Sequence, residues 1–197
     1  MALINELILV RHPLPVAAEG LCYGRSDLPA DPGELARVQA ALLASGLPGN
    51  APVFSSPLRR CADLARQLSA NVIFDGDLAE MDFGGWELRS WNDIPRAEVD
   101  AWAADLLHYQ PGGGESVLAV ARRVSGALAR IRQHGEEHAV VVCHAGTMRL
   151  LATLADGTAP EQAALAAASA MHRIGYGEVL RLAITANPAR LQPDTLR

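Results

Sequence analysis

The sequence predicts an α/β protein, a three-layer α/β/α sandwich around a mostly parallel central sheet. Three observations carry this. Short apolar runs alternate along the chain with segments whose apolar residues recur at helical spacing, the pattern of parallel strands joined by right-handed crossovers. The first run, Leu7-Ile8-Leu9-Val10, ends abruptly in Arg11-His12, as a buried strand would deliver two reactive side chains to a sheet edge. With 197 residues, half of them hydrophobic and a fifth charged, the chain has the composition of a soluble globular domain with a sizeable core.

Residues 3–10 read as the first strand. The stretch 13–30 holds three prolines, two glycines and Asp27 and reads as a long loop, a kind of segment that in compact domains is usually functional or disordered. Residues 33–45 are helical by composition and stop at Gly46. Ala51-Pro52-Val53-Phe54 is a short second strand. Ser55-Ser56-Pro57 then reads as an N-cap region with proline in the first turn, opening a helix to about Ala70 with Leu58, Cys61, Leu64, Ala65 and Leu68 on one face.

Val72-Ile73-Phe74 is a third strand, and 78–93 is irregular with short helical turns. A helix is expected over 94–109, a break at Pro111-Gly112-Gly113-Gly114, and a long helix over 115–133 carrying Val117, Val120, Val124, Leu128 and Ile131. His138 to Cys143 is a fourth strand, followed by His144-Ala145-Gly146 and a helix through Ala155. Residues 160–170 are alanine-rich and helical, Val179 to Ile184 is a last strand, and the tail from Asn187 reads as loose. The whole, 1–197, reads as one domain with an insertion at about 78–114 over the sheet edge.

Composition excludes several classes. No segment approaches the roughly 18 uninterrupted apolar residues of a membrane span. The first residues lack a positive leader and a small-residue cleavage site, so no signal peptide is expected. Net charge is −5, with 17 Lys and Arg against 22 Asp and Glu, and the basic runs are only Leu58-Arg59-Arg60 and Arg122-Arg123. A broad nucleic-acid footprint is therefore not expected. Cys22, Cys61 and Cys143 are odd in number and far apart, which suits reduced thiols in a cytoplasm.

Ligands of α/β proteins gather at the carboxyl ends of the strands. Arg11 and His12 follow the first strand, Arg59 follows the second by a helical turn, and His144 follows the fourth. In a parallel sheet these ends share one edge, so two arginines and two histidines converge. That set suits a phosphoryl group. Guanidinium forks match phosphate oxygens and stay charged, and imidazole can be a nucleophile or a partly protonated donor near neutral pH. N–H groups at the helix start after His144 would add to the anion site. No metal or cofactor is expected if the arginines offset the charge.

Val10-Arg11-His12, Ser56-Pro57-Leu58-Arg59-Arg60, Leu78 to Glu87 (LAEMDFGGWE) and Cys143-His144-Ala145-Gly146 occur in an order that resembles the histidine phosphatase superfamily, the phosphoglycerate mutase-like proteins. Pro111 to Ser116 (PGGGES) is similar to that family's glycine-rich entry to a long helix, and Tyr23-Gly24-Arg25-Ser26-Asp27 resembles its alpha-ribazole phosphatase branch. The likeness covers residues 7–150. It implies a phosphoglycerate mutase-like fold and a phosphomonoesterase acting through a phosphohistidine. It further implies His12 as nucleophile, Arg11 and Arg59 on the phosphate oxygens, and His144 as a hydrogen-bond partner of the transferring group. Glu80 matches the acid that protonates the leaving oxygen and then activates water, a role that calls for burial beneath the insertion; Asp82 and Glu87 are rivals by position. Tyr23, Gly24 and Arg25 would touch substrate. The substrate implied is alpha-ribazole 5'-phosphate, in assembly of the lower ligand of cobalamin, with a broad small-metabolite phosphatase as the alternative. The oligomeric state is open.

The sequence departs from the family's usual pattern at Pro13, which stands where glycine follows the nucleophilic histidine, and at Leu14, which replaces a polar residue. Proline loses the N–H and fixes φ but keeps a carbonyl, and that carbonyl could still accept a bond from His12. A phosphate-binding module without catalysis is the reading opposed to the enzyme. A second rival is the cysteine-phosphatase loop, since Cys143 and Arg149 are separated by five residues. Arg60, His108, His134, His138 and His172 read as ordinary surface residues, and Cys22 and Cys61 as packing. Trp86, Trp91, Trp102 and Tyr109 either pack the insertion or line a pocket for a flat ring.

Overall fold

The computed structural model describes residues 4–17, 19–170 and 173–184. The strands are β1 (Glu6–Arg11), β2 (Val53–Ser55), β3 (Val72–Phe74), β4 (His138–Cys143) and β5 (Val179–Ala183). They form one sheet in the order β3-β2-β4-β1-β5, parallel throughout except for β5, which runs antiparallel to β1 at the edge. The helices are α1 (Pro32–Ala44), α2 (Arg59–Leu68), α3 (Arg96–Ala104), α4 (Val117–Arg132), α5 (Ala145–Leu154) and α6 (Pro160–Ser169).

Alternation along β1 sorts the layers. Leu7 and Leu9 pack with α4, α5 and α6, whereas Ile8 and Val10 pack with α1 and α2. All four are fully buried, each contributing roughly 1.5–3 kcal/mol from removal of apolar surface from water. The three-layer α/β/α sandwich expected from the sequence is the fold observed.

Element ends differ from expectation for local reasons. α3 is shorter than 94–109. Pro95 disfavours helical backbone at Ile94, and Asp105 ends the helix by accepting the amide of His108 at 3.0 Å. α2 begins at Arg59 rather than at the serines, and no side chain of its own caps it. Asp27, 32 residues earlier, accepts the Arg59 amide at 2.7 Å instead. Ser116 caps α4 by accepting from Ala119 at 3.2 Å. Residues 76–113 carry four short 3-10 turns around α3 and pack through Cys22, Trp86 and Ile94, flanked by Phe83, Trp102 and Tyr109. No helix among the described residues is long and apolar enough to cross a membrane. His172 and the tail from Asn187 lie outside the described residues.

Candidate active site

Register places the two histidines. Arg11 of β1 pairs with Cys143 of β4, so the next residue on each strand leaves the sheet at the same level. The amide of His12 donates to the Cys143 carbonyl at 3.0 Å, and the His12 and His144 rings lie 5.1 Å apart, tilted by 59°. On the other side of β4, Ser56 follows β2 and its hydroxyl lies 2.9 Å from His144 Nε2. Cys61 Sγ lies 3.4 Å from the same nitrogen.

The carbonyl of Pro13 lies 2.7 Å from His12 Nδ1. A carbonyl only accepts, so Nδ1 carries the proton and Nε2 of the neutral ring keeps its lone pair. Burial pushes the His12 imidazole well below its usual value; the Arg60 charge and then Arg11 add to this, and the Pro13 bond opposes it. His144 is likewise held low by burial, then by His12, Arg60, Arg123 and Arg11.

The arginines require a correction. Arg59, expected beside the histidines, is exposed, and its amide rather than its side chain is engaged, by Asp27. Arg60, read from sequence as a surface residue, is the one brought in. It is fully buried, donates to the carbonyls of Gly24 and Ser26, and bears electrostatically on both histidines. A signal for it was present, because Arg60, Leu64 and Leu68 form an i, i+4 row beside the buried stripe of α2. Arg11 donates to the carbonyl of Ile174 and lies with Cζ 3.8 Å from the Tyr176 ring centroid. The Nε atoms of Arg11 and Arg60 are buried with no acceptor among the described residues, so each retains a donor suited to an anion.

Of the three candidate acids, only Glu80 borders the open cleft described below. It is partly buried, and its carboxylate accepts the amides of Met81 at 3.1 Å and Gly146 at 3.0 Å. The expectation of free N–H groups at the start of α5 is corrected to that extent, since Glu80 takes the Gly146 donor. Arg123, on α4, fixes the segment below. All its donors are used, on the carbonyls of Asp77, Ala79 and Glu80 and as a fork on Glu115 with both bonds at 2.8 Å. Asp82 accepts from the Gly84 amide at 2.8 Å. Glu87 accepts the amides of Gly24, Arg25, Ser26 and Phe83 and the Ser26 hydroxyl. Burial raises the Glu87 carboxyl, but these bonds outweigh it and hold it below the usual range. Glu87 is thus the anchor of the Tyr23–Asp27 loop.

Within that loop, the three residues separate. Tyr23 borders the cleft and places its hydroxyl 2.7 Å from that of Tyr176. Gly24 and Arg25, expected to touch substrate, do not line the cleft. Gly24 packs so closely that a Cβ there would sit 1.9 Å from the Met81 carbonyl oxygen, and its own carbonyl receives Arg60. The Arg25 side chain turns toward Glu115 at 3.7 Å.

The cleft has a volume of about 400 Å³ and opens beside Glu80 and Gly146. Its walls include Leu21, Phe83, Trp91, Trp102, Val117 and Leu150, with Arg149 as the other charged residue. The aromatic residues of the insertion divide between packing and the cleft wall. Trp86 is buried packing, while Trp91 and Trp102 stack within 7° of parallel and face the cleft. Cys143 does not suit a thiolate nucleophile. It is fully buried in the α4–α6 layer, and burial, then Cys61 and Glu80, push its thiol well above the usual value. Outside the site, His138 pairs with Glu6 and His108 with Asp105.

The sequence profile of the histidine phosphatase superfamily (branch 1) matches residues 7–181. A metal-independent phosphoserine phosphatase of Arabidopsis thaliana is 30% identical over 162 residues, covering 75% of this chain and 67% of that protein. A bifunctional protein of Mycobacterium tuberculosis is 37% identical over 165 residues, covering 77% of this chain; the match spans only 44% of that protein. Among solved structures, the alpha-ribazole phosphatase of Shigella flexneri aligns with a TM-score of 0.73 at 28% identity, covering 89% of each chain.

Proposed function

The chain belongs to branch 1 of the histidine phosphatase superfamily and is a phosphatase; from that premise we propose that it hydrolyses a small phosphomonoester through a phosphohistidine on His12. The observation that carries this reading is the 2.7 Å bond from His12 Nδ1 to the Pro13 carbonyl. It leaves Nε2 as the nucleophilic atom, in a ring that burial and Arg60 keep neutral.

In the first step Nε2 attacks phosphorus, the bond from phosphorus to the leaving oxygen breaks, and Glu80 delivers a proton to that oxygen. In the second, water attacks the phosphohistidine, Glu80 takes its proton, and orthophosphate leaves with Nε2 restored. Arg11 and Arg60 offset the phosphoryl charge, Arg60 taking the place the sequence assigned to Arg59. His144, whose ring lies 5.1 Å from that of His12, takes the role of hydrogen-bond partner to the transferring group in this reading. Arg123 holds the backbone that carries Glu80.

The finer reading is that the substrate is alpha-ribazole 5'-phosphate. Its leaving group carries a flat, largely apolar base, and the cleft beyond Glu80 is walled by Phe83, Trp91 and Trp102. Serine, the leaving group of phosphoserine, would leave those apolar walls uncovered. The likeness to the Shigella enzyme supports the same choice. A panel of alpha-ribazole 5'-phosphate, phosphoserine, 3-phosphoglycerate and p-nitrophenyl phosphate, ranked by kcat/KM, tests it. Alpha-ribazole 5'-phosphate is expected first. Phosphoserine first would reject the substrate, and four inactive compounds with folded protein would reject the enzyme.

A further inference from the structure

We propose that Tyr176 is a positioning residue, holding Arg11 and His12 in their phosphate-binding arrangement through its ring; this rests on the phosphohistidine reading above. The chain from 156 onward carries no motif, yet its 174–177 segment reaches back over the end of β1. The Ile174 carbonyl accepts one Arg11 Nη group. The Tyr176 ring lies 3.8 Å from Arg11 Cζ and 5.6 Å from the His12 ring. The Gly177 amide reaches the carbonyls of Arg11 at 3.2 Å and His12 at 3.3 Å.

The segment is itself fixed. Gly177 has φ +74°, and a Cβ there would sit 2.5 Å from a Val38 methyl on α1, so the turn packs directly on the helix layer. The Tyr176 hydroxyl is held by Tyr23.

A guanidinium presents five donors in one plane. Here the ring covers a face and Ile174 occupies one edge, which leaves Nε without an acceptor among the described residues. Arg11 is thereby ordered before phosphate arrives, and the cost of ordering a long side chain is met in folding rather than in binding. The tyrosine ring also favours the cation lying on it. Its hydroxyl ends on Tyr23, a wall of the leaving-group cleft, so one residue bridges the two halves of the site.

The test is a double-mutant cycle read by binding of inorganic phosphate, without turnover. Tyr176→Leu is expected to weaken phosphate binding about tenfold, between the exposed and the fully desolvated values of a cation–π contact. In an Arg11→Ala background the same change is expected to cost less than about twofold, because its effect runs through Arg11. Equal losses in both backgrounds would overturn the proposal, as would unchanged phosphate affinity in folded Tyr176→Leu. Should the leucine variant not fold, Tyr176→Phe and Tyr176→Trp decide, since both keep a π face. Each is expected to bind phosphate within about twofold of the parent, and a tenfold loss in Tyr176→Phe would equally overturn the role of the ring. Trapping of the phosphoenzyme is measured separately. Its absence on His12 would reject the catalytic reading while the phosphate cycle still reports on Tyr176.

Discussion

His12 donates through Nδ1 to the carbonyl oxygen of Pro13, the next residue, at 2.7 Å. The contact uses the one backbone group that proline shares with glycine, so the unusual residue does not disturb the ring it follows. Pro13→Gly is therefore expected to change kcat by less than about threefold. It should lower stability by about 1–2 kcal/mol, because glycine adds freedom to the unfolded chain and Pro13 is buried. Steady-state kinetics and urea unfolding of one preparation check both halves. A large loss of kcat with little change in stability would mean that the fixed φ at residue 13 orients His12.

Arg59 and Arg60 are neighbours in opposite environments, which makes them a matched pair. Arg60→Ala removes a buried guanidinium and strands the Gly24 and Ser26 carbonyls that it serves. It is expected to cost about 100-fold or more in kcat/KM and about 2–4 kcal/mol in stability. Arg60→Lys keeps the charge but not the fork, and should recover only part of each. Arg59→Ala leaves the Asp27 bond to its amide intact and is expected to stay within about 0.5 kcal/mol and twofold in rate. Reversal of the two alanine effects would restore the sequence-based assignment.

That pair also marks how far the chain could be read from its residues alone. Strands, helices and layers followed from local apolar patterns, and the histidines from where two strands stop. Arg60 was legible too, on the row of Leu64 and Leu68, but the two adjacent arginines were separated by motif rather than by helical face. Other contacts have no local pattern. Asp27 caps α2 across 32 residues, Glu87 gathers amides some 60 residues away, and Arg123 grips carbonyls more than 40 residues earlier. Tyr176 lies 164 residues after His12 in sequence (176 minus 12) with its ring 5.6 Å away. Such pairings are decided by tertiary packing, which puts distant segments in contact.

Acid should destabilise the protein earlier than its carboxylates alone would require. His12 and His144 are both held low in the fold, primarily by burial, while in the unfolded chain they titrate near about 6.5. Above that value neither state is protonated at these rings and their contribution is complete. Below it the unfolded state binds protons that the folded state refuses, so stability falls as pH falls. The slope is on the order of 1 kcal/mol per pH unit for each histidine. Urea midpoints between pH 7.5 and 5.5 measure it, and His144→Asn should flatten the dependence by about half. A midpoint independent of pH over that window would mean that the rings accept protons in the folded state. For the same reason kcat/KM should show no loss centred near about 6.5 from protonation of the free nucleophile.

Glu80 and Glu87 can be told apart by leaving group. Glu80→Gln is expected to slow an alkyl phosphate at least about tenfold more than p-nitrophenyl phosphate, whose leaving group needs little protonation. Glu87→Gln should slow both alike, because it loosens the loop bearing Tyr23 and the carbonyls that receive Arg60. Equal slowing of both substrates by Glu80→Gln would remove it as the acid.

The cleft makes a separate prediction about selectivity. Trp91 is 41% exposed, and stacks on Trp102 along the wall rather than within the core. Its removal can therefore leave the fold intact. Trp91→Ala should lower kcat/KM for alpha-ribazole 5'-phosphate by about tenfold, the scale of one aromatic contact with a flat ring. The same variant should alter the rate on glycerol phosphate by less than about twofold, since that leaving group is too small to reach the tryptophan wall. The ratio of the two substrates within one variant is the measured quantity, and it cancels any general loss of active protein. If the ratio did not change, the aromatic wall would be packing for the insertion, and selectivity would have to reside in the Tyr23 loop.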